Sequence, residues 1–372
     1  MAPRNIRIVD LRAVRKNLKL IRGSVPASVR IMAVVKADAY GHGARECAKA
    51  VLESGADALA VASVKEGAEL RDGDIGAPIL VLGAVTQEDV LQGVEAGLVQ
   101  TVCTPEMVLL CAEAARLTHR DAMVHLKIDT GMGRIGIKTM EERDAVLQAL
   151  RESAGVRLTG AFTHFADADG DEEGMRYTKR QYQRFIEITE GLRKDITLHC
   201  CNSAALHRFP WMGLSMVRAG ISLYGYPPVR TELPLQPCMS WYAKVSHVKE
   251  IDSGESVSYG RTWTAPGKRR IATITCGYAD GYHRAASGSA EVLIRGSRFP
   301  IVGRICMDQM MADITGHEEI QPEDKVVLMG KSGAEKIDAN DLARWSGTIP
   351  YETLLSAGSR VERCFLDEEE TE

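Results

Sequence analysis

The sequence predicts an α/β fold, an eight-stranded parallel (β/α)8 barrel followed by a smaller, mostly β C-terminal domain. Three observations favour this fold class. Short apolar runs alternate with amphipathic helical stretches over the first two-thirds of the chain, and there are eight such runs. Beyond about residue 230 the pattern becomes β-leaning. Because 372 residues exceed what one core usually serves, we expect two domains, residues 1–230 and 231–372.

The predicted barrel strands are apolar runs, which is typical of parallel strands buried on both faces. They are Arg30–Val35, Ala58–Ala62, Pro78–Leu82, Gln100–Cys103, Met123–Ile128, Leu158–Thr163, Ile196–His199 and Ser215–Arg218. The helical patterns between them are Ala44–Glu53, Glu66–Arg71, Pro105–Leu117, Met140–Glu152 and Gln181–Leu192. This alternation implies helical crossovers between parallel strands. A doubly wound open sheet stays an alternative, since the strand count favours the barrel only in part.

The sequence pattern changes where the second domain begins. Pro227, Pro228, Pro234 and Pro237 punctuate a linker. The β-leaning runs that follow are Trp241–Glu250, Arg270–Thr275, Ala290–Ile294, Arg298–Val302 and Lys325–Met329, with one helical pattern near Ala339–Trp345. The first residues of the chain can pair with this domain.

Composition excludes several classes of protein. A formal net charge of -4 and the lack of a long basic stretch argue against nucleic acid or an anionic membrane surface as partner. No segment has the length of a signal peptide's apolar core or of a spanning helix, so we expect a cytoplasmic protein. The nine scattered cysteines are typical of reduced thiols. We expect no metal at His199-Cys200-Cys201, whose spacing suits no common finger, and we expect the acidic run Asp367–Glu372 to be a solvated tail.

Polar, reactive residues follow five of the predicted strands, where each strand ends. A barrel gathers the carboxyl ends of its strands around one mouth, so these residues are expected to form one site. In strand order they are Lys36, Lys127 with Asp129, His164, Asn202 with Ser203, and Arg218.

The segment from Ala33 to Gly43 carries the strongest signal. Lys36 directly follows a buried strand, and a buried ammonium group is costly. A lysine that emerges at the sheet edge is the ordinary explanation. The functional one is an amine whose lowered pKa lets it form an imine with an aldehyde. Tyr40 can hydrogen-bond an anionic group, and Gly41 allows close approach of the backbone.

The glycines of Gly131-Met132-Gly133-Arg134-Ile135-Gly136 match the spacing of a dinucleotide fingerprint. We reject that interpretation, because the fifth strand is an odd place for it and the next strand ends in His164 rather than in a ribose-binding acid. Tight turning of the backbone beside a ligand is the better explanation.

The chain resembles the alanine racemases along nearly its whole length, with motifs in the family's order. Segments of the barrel that match are Ala33–Gly43, Lys127–Arg134, His164, Cys201–Ala204 and Val217–Gly225. Those of the second domain are Val257–Trp263, Gly277–Gly281, Gly303–Asp308 and Ile349–Glu352.

This resemblance implies pyridoxal 5′-phosphate (PLP), held by Lys36 as a Schiff base, and interconversion of L- and D-alanine on the external aldimine by two bases. Lys36 is implied to take the D-side proton. Tyr259, from the second domain of a partner subunit, is implied to take the L-side proton, so a head-to-tail homodimer is expected. His164 would polarise the tyrosine, and Arg218 would face the pyridine nitrogen. The product would be D-alanine for cell-wall peptidoglycan.

The resemblance also assigns binding roles. It implies that Arg134 contacts cofactor and substrate, that the Met307 amide and Tyr278 face the substrate, and that Lys127 carries a carbamate. Tyr351 favours alanine, since relatives that prefer serine tend to lack a tyrosine there. The implied cofactor contacts are Lys36, Tyr40, Leu82, Arg134, Ser203, Arg218, Gly220, Ile221 and Tyr351.

Three other functions stay open at this point. A serine or broader-specificity amino-acid racemase differs only in pocket shape, and a pocket discriminates one hydroxyl modestly. An amino-acid decarboxylase on the same barrel would call for an acid in place of Arg218. A non-catalytic PLP-binding protein would resemble the barrel alone and would lack the domain with Tyr259.

Overall fold

The computed structural model describes residues 4–83, 86–192 and 196–367. Its strands are β1 Asn5–Asp10, β2 Arg30–Val34, β3 Ala58–Val61, β4 Ile79–Val81, β5 Gln100–Val102, β6 Ala122–Lys127, β7 Val156–Phe162, β8 Thr197–His199, β9 Met216–Ala219, β10 Met239–Ile251, β11 Ser256–Val257, β12 Trp263–Thr264, β13 Arg269–Ile274, β14 Glu291–Ile294, β15 Ser297–Pro300, β16 Met310–Asp313, β17 Lys325–Ser332, β18 Glu335–Ile337 and β19 Glu362–Leu366. Its helices are α1 Leu11–Ser24, α2 Lys36–Gly41, α3 Ala44–Glu53, α4 Val64–Asp72, α5 Gln87–Glu95, α6 Pro105–Thr118, α7 Met140–Glu152, α8 Glu172–Ile188, α9 Ser203–Arg208, α10 Ala339–Ser346 and α11 Pro350–Leu355.

The strands β2 to β9 form one parallel eight-stranded sheet in the order β4-β3-β2-β9-β8-β7-β6-β5. Its two ends meet, because Leu80 of β4 bridges in parallel to Val99, next to β5. The N–H of Val81 donates to the Val99 carbonyl over 3.0 Å, and the N–H of Val99 donates to the Ile79 carbonyl over 2.9 Å. The predicted barrel is therefore confirmed, and the open sheet is excluded.

Local signals explain where most barrel helices begin. Ser63 and Glu66 form a capping box at α4, and Thr139 and Glu142 form another at α7. The predicted start of α8 at Gln181 is wrong, since the helix begins nine residues earlier at Glu172. Asp171 caps that start, and the first turns are polar and outward-facing, so the apolar periodicity begins late.

Contacts divide the described chain into two units: residues 13–236 form one, and the residues before and after this stretch form the other. In the second unit β1 pairs antiparallel with β10 and parallel with β19, within a sheet of order β15-β14-β17-β10-β1-β19. The pairing of the chain's first strand with its last could not come from local pattern.

No helix within the described ranges is both long and apolar enough to cross a membrane. Of the expected acidic tail, residues 368–372 fall outside the described residues.

Candidate active site

The barrel brings four of the predicted site residues to the carboxyl ends of its strands. Lys127 is the last residue of β6, His164 follows β7 by two residues, and Arg218 lies in β9. Lys36 comes just after β2. Arg218 Nη2 lies 3.4 Å from His164 Nδ1. Side chains from distant parts of the sequence therefore share one mouth, as the strand-end pattern indicates.

Lys36 is half-buried at this mouth. Burial lowers the pKa of its amine, and the positive charges of Arg134 and Arg218 lower it further, while Glu66 opposes them. The effects that lower this pKa arise because the barrel excludes water from Lys36 and places two arginine cations near its amine. A larger fraction of Lys36 is therefore the neutral, nucleophilic amine at neutral pH than for a lysine in water.

The backbone directly after Lys36, within α2, adopts an unusual conformation. The four residues Ala37–Tyr40 have φ between 50° and 55°, a left-handed turn that costs about 1–2 kcal/mol per residue for L-amino acids. Neighbouring groups hold it: Glu66 accepts from the Ala37 N–H over 2.7 Å, and Asp38 accepts from the Ala44 N–H over 2.9 Å. The turn buries Tyr40, which is 8% exposed. Strain of this kind persists where the surroundings over-determine it, which is typical of ligand sites.

Tyr40, Ser203 and Gly220 together form a small polar cradle. Ser203 opens α9, and its Oγ accepts from the Gly220 N–H over 2.9 Å, which leaves its hydroxyl proton for another acceptor. A Cβ at position 220 would lie 2.8 Å from the Tyr40 hydroxyl and 3.4 Å from Ser203 Oγ. Ile221 begins a short 3-10 turn, whose first N–H groups have no acceptor within the turn. The cradle thus presents hydroxyls and an amide to an anion.

Lys127 is buried, with 2% of its surface exposed. Its Nζ donates to the Ile128 carbonyl over 2.9 Å and lies 5.4 Å from the centre of the Phe162 ring. Burial lowers its pKa to about 8, and the cation of Arg218 contributes in the same direction. A surface lysine would show neither feature, so the simple surface cation is excluded for Lys127.

The glycine-rich loop after β6 folds around one carboxylate. Asp129 Oδ1 accepts from the N–H groups of Gly131 and Gly133, each over 3.0 Å. Gly136 has φ 125°, and a Cβ there would lie 2.5 Å from the Asp129 nitrogen. No helix starts within the loop, since α7 begins at residue 140. The glycines therefore serve tight turning, and they leave the exposed Arg134 at the loop's tip.

Arg218 is buried, and both of its terminal nitrogens donate hydrogen bonds. Its Nη2 donates to the carbonyls of Thr163 over 2.7 Å and Cys200 over 3.0 Å, and its Nη1 donates to the carbonyl of His199 over 3.1 Å. Burial lowers its pKa to about 10, so it stays a cation at neutral pH. Burial first, then the charge of Arg218, holds the pKa of His164 well below its usual range, so His164 is neutral.

The remaining predicted site residues lie at other positions. Leu82 is half-buried just after β4 of the barrel. In the second unit Tyr259 is 70% exposed in a 3-10 turn, and Tyr278 and Met307 are also exposed. Tyr351 lies half-buried in α11.

Sequence reasoning missed two residues that support the site. Glu66 holds the left-handed turn, and His125 contacts His199, which in turn contacts Arg218. Asp129, which the strand-end pattern singled out, holds the glycine loop. Glu66 carried a capping signal that pointed only to a helix start. His125 sits inside an apolar strand and carried no functional signal.

This geometry defines the class of protein. It is a barrel enzyme with a half-buried lysine, a cradle of hydroxyl and amide groups and a buried arginine at the carboxyl ends of its strands. Comparisons with known proteins agree. The family models for the alanine racemase N-terminal and C-terminal domains match residues 9–228 and 238–365. An alanine racemase of Desulforamulus reducens is 42% identical over 96% of this chain and 98% of its own. The chain belongs to the alanine racemase family, whose members use PLP.

Solved structures extend this result. A Bacillus anthracis alanine racemase with bound L-Ala-P superposes with TM-score 0.92 at 37% identity, covering 99% of this chain and 96% of that one. A histidine racemase of Leuconostoc mesenteroides superposes with TM-score 0.90 at 29% identity, covering 98% and 99%. The predicted family, the fold and the racemase class are confirmed. The predicted roles of individual residues remain predictions.

Proposed function

We propose that this protein interconverts L- and D-alanine with PLP bound at the barrel mouth, and that it supplies D-alanine for peptidoglycan in the cytoplasm. One observation carries the proposal: the half-buried amine of Lys36 stands at a strand end beside the cradle of Tyr40, Ser203 and Gly220. An aldehyde cofactor with a phosphate needs one amine and one anion site at such a mouth.

The residues present fit that cofactor. Tyr40, Ser203 and the Ile221 amide would hold the phosphate, since hydroxyl and amide donors suit an anion. The Gly220 amide, whose N–H donates to Ser203 Oγ, would share that proton with the phosphate. Tyr351 of the second unit is a further phosphate donor in this proposal, and Leu82 is an apolar contact for the ring.

Lys36 would hold the aldehyde through Nζ, and Arg218 would face the pyridine nitrogen. When bound, PLP withdraws electrons from the substrate's Cα and makes its proton acidic enough to remove. Because Arg218 stays protonated, its guanidinium cannot give a proton to the pyridine nitrogen without a large cost. We propose that this limits the electron demand on Cα and suppresses decarboxylation and transamination.

Two bases would move the proton on opposite faces of Cα. Lys36 serves the D side, and its lowered pKa favours the neutral form that accepts a proton. Tyr259 would serve the L side. Because Arg218 can only donate, His164 Nδ1 accepts from it, and the neutral ring would donate its Nε2–H to the phenol oxygen of Tyr259 and so tune its acidity.

Substrate choice would depend on Arg134, the Met307 N–H, Tyr278 and Tyr351. Arg134 can bind the carboxylate in a bidentate manner, and Met307 would add a backbone donor. Since a histidine racemase has the same fold, the fold does not select the side chain. The bulk of Tyr351 and Tyr278 favours the methyl group of alanine, with some leakage to serine.

Gly220→Ala tests the cradle without touching the chemistry. A methyl group 2.8 Å from the Tyr40 hydroxyl forces one of them to shift, at about 1–3 kcal/mol. We expect PLP to bind the apoprotein about tenfold more weakly, measured by titration of the visible absorbance. Gly23→Ala, where nothing lies within 4 Å of the new Cβ, is the matched control. Equal affinity of both variants and the wild type would contradict the cradle.

We also propose that Lys127 reacts with CO2 to form a carbamate. The buried amine sits among the cations of Arg218 and Arg134, which penalise an ammonium and favour an anion. A pKa of about 8 leaves part of the amine neutral at pH 7.5, as the reaction requires.

The measurement is 13C NMR of protein incubated with 13C-bicarbonate, supported by intact mass with and without bicarbonate. We expect one carbamate carbon signal, stronger at pH 8.5 than at pH 6.5 because the neutral amine is the reactant. Lys127→Met should lose it, and Lys138→Met, which changes an exposed lysine, should keep it. A signal that survives in Lys127→Met would place the modification elsewhere.

One incubation tests the function itself. The purified protein with PLP and L-alanine in D2O should place deuterium at Cα and abolish optical rotation. Release of CO2 would indicate the decarboxylase, and no change at all would indicate a PLP-binding protein without activity. L-serine run in parallel should react more slowly, and a faster reaction would favour the serine racemase.

A further inference from the structure

Two histidines beneath Arg218 continue its hydrogen bonds through the inside of the barrel. Arg218 Nη1 lies 2.9 Å from His199 Nδ1, and His199 Nε2 lies 3.0 Å from His125 Nδ1. All three side chains are buried, at 2%, 0% and 6% exposure. The Phe162 ring stacks on His199 with centroids 5.0 Å apart and an interplanar angle of 7°, which fixes the plane of the middle ring.

The direction of these bonds follows from their first member. A guanidinium has only donors, so His199 Nδ1 must accept and its proton must reside on Nε2. His199 Nε2 then donates to His125 Nδ1, which must also accept. The proton of His125 is therefore on Nε2. One cation thus dictates the tautomer of two neutral imidazoles in series.

The series of hydrogen bonds ends at His125, on the side of the barrel opposite to the mouth. His125 lines a cavity of about 370 Å³ with the amino-end residues of the strands, among them Arg30, Met123 and Thr159. Among the described residues, none is shown to bond to its Nε2. Gly160 makes room for the ring, since a Cβ there would lie 2.5 Å from His125 Nε2.

We propose that His199 and His125 are positioning residues for Arg218, forming a hydrogen-bond chain of fixed direction from the barrel's amino end to the guanidinium that faces the cofactor. The alternative, that the two rings merely fill space, would not require the acceptor nitrogens to face the donors at both junctions. This inference rests on the role of Arg218 in the proposed function.

A second proton on either ring would be incompatible with this direction of the hydrogen bonds. A doubly protonated His125 must donate through Nδ1, which meets the N–H of His199 Nε2. His199 would then have to carry its proton on Nδ1, against the donor of Arg218. The pKa of His125 is lowered to about 3 by burial first and then by Arg30 and Arg218, so the chain stays intact over the physiological range.

The tautomers can be read directly in the wild-type protein. Solid-state 15N NMR of histidine-labelled protein, with and without PLP, should show both rings neutral with Nε2 protonated, assigned from His125→Asn and His199→Asn. An imidazolium, or a proton on Nδ1 of either ring, would overturn the proposal. This measurement does not depend on whether the protein racemises alanine.

Kinetics test the positioning role. In His125→Asn the side-chain oxygen keeps an acceptor near the Nδ1 position, whereas His125→Leu removes it. We expect His125→Leu to lower kcat about tenfold with KM little changed, and His125→Asn to recover most of that loss. Met123→Leu, in the same cavity but outside the chain, should match the wild type.

Equal kcat for His125→Leu and His125→Asn would overturn the role. If His125→Leu does not fold, as judged by thermal unfolding, His125→Asn against the wild type and the NMR tautomers still decide it. A wild-type protein that leaves alanine unchanged in D2O would refute the proposed function instead, whatever the tautomers.

Discussion

Lys36→Ala should lower kcat/KM for alanine by at least about a thousandfold, because in the proposed function one amine both holds the cofactor and serves as a base. The half-buried position of Lys36 sets it apart from an exposed lysine such as Lys65, and burial lowers the pKa of the Lys36 amine. The holoenzyme should also lose its visible band on treatment with borohydride only when Lys36 is present, since the proposed reducible bond would be to its Nζ.

Two comparisons make this result specific. Lys36→Arg keeps the positive charge but offers no nucleophile and no neutral base, so it should be as inactive as Lys36→Ala. Lys65→Ala, which changes a side chain 86% exposed on α4, should retain full activity. Full turnover together with a reducible bond in Lys36→Ala would remove the basis of the proposed function.

Much of the barrel could be predicted because its signals are local. The helices α3 and α7 match their predicted bounds, since amphipathic periodicity and flanking caps or glycines coincide there. The strands β3 and β4 consist of apolar residues that are buried throughout, so each appears as an apolar run. The residues at the mouth follow from the strand ends, which is why Lys36 could be singled out.

The features that failed prediction depend on distant contacts. The left-handed turn after Lys36 has alanines and a tyrosine where glycine would be expected, and Glu66 from another element holds it. The role of His125 depends on its hydrogen bond to His199, a residue far away in the sequence. The local sequence pattern indicates the secondary structure that a segment prefers in isolation. Contacts with distant parts of the protein can override that preference.

Tyr259→Phe should separate the two faces of the reaction. The variant keeps the ring and loses only the hydroxyl that would move the L-side proton. Exchange of the Cα proton of L-alanine with D2O should fall about a thousandfold, whereas exchange from D-alanine, served by Lys36, should fall far less. Initial rates of deuterium uptake from each enantiomer, followed by proton NMR, give the comparison. Tyr242→Phe, on β10 of the same unit, is the matched control.

The same variant tests whether the phenol comes from a neighbour. Tyr259 is 70% exposed in its own unit, as a side chain lent to another subunit would be. If each site combines Lys36 of one subunit with Tyr259 of the other, a mixed dimer of Lys36→Ala and Tyr259→Phe subunits contains one intact site. Random co-assembly makes half the dimers mixed, so co-expression should restore about a quarter of wild-type activity from two inactive variants. If the tyrosine served its own subunit instead, every site would lack one base, and the mixture would stay as inactive as its parts.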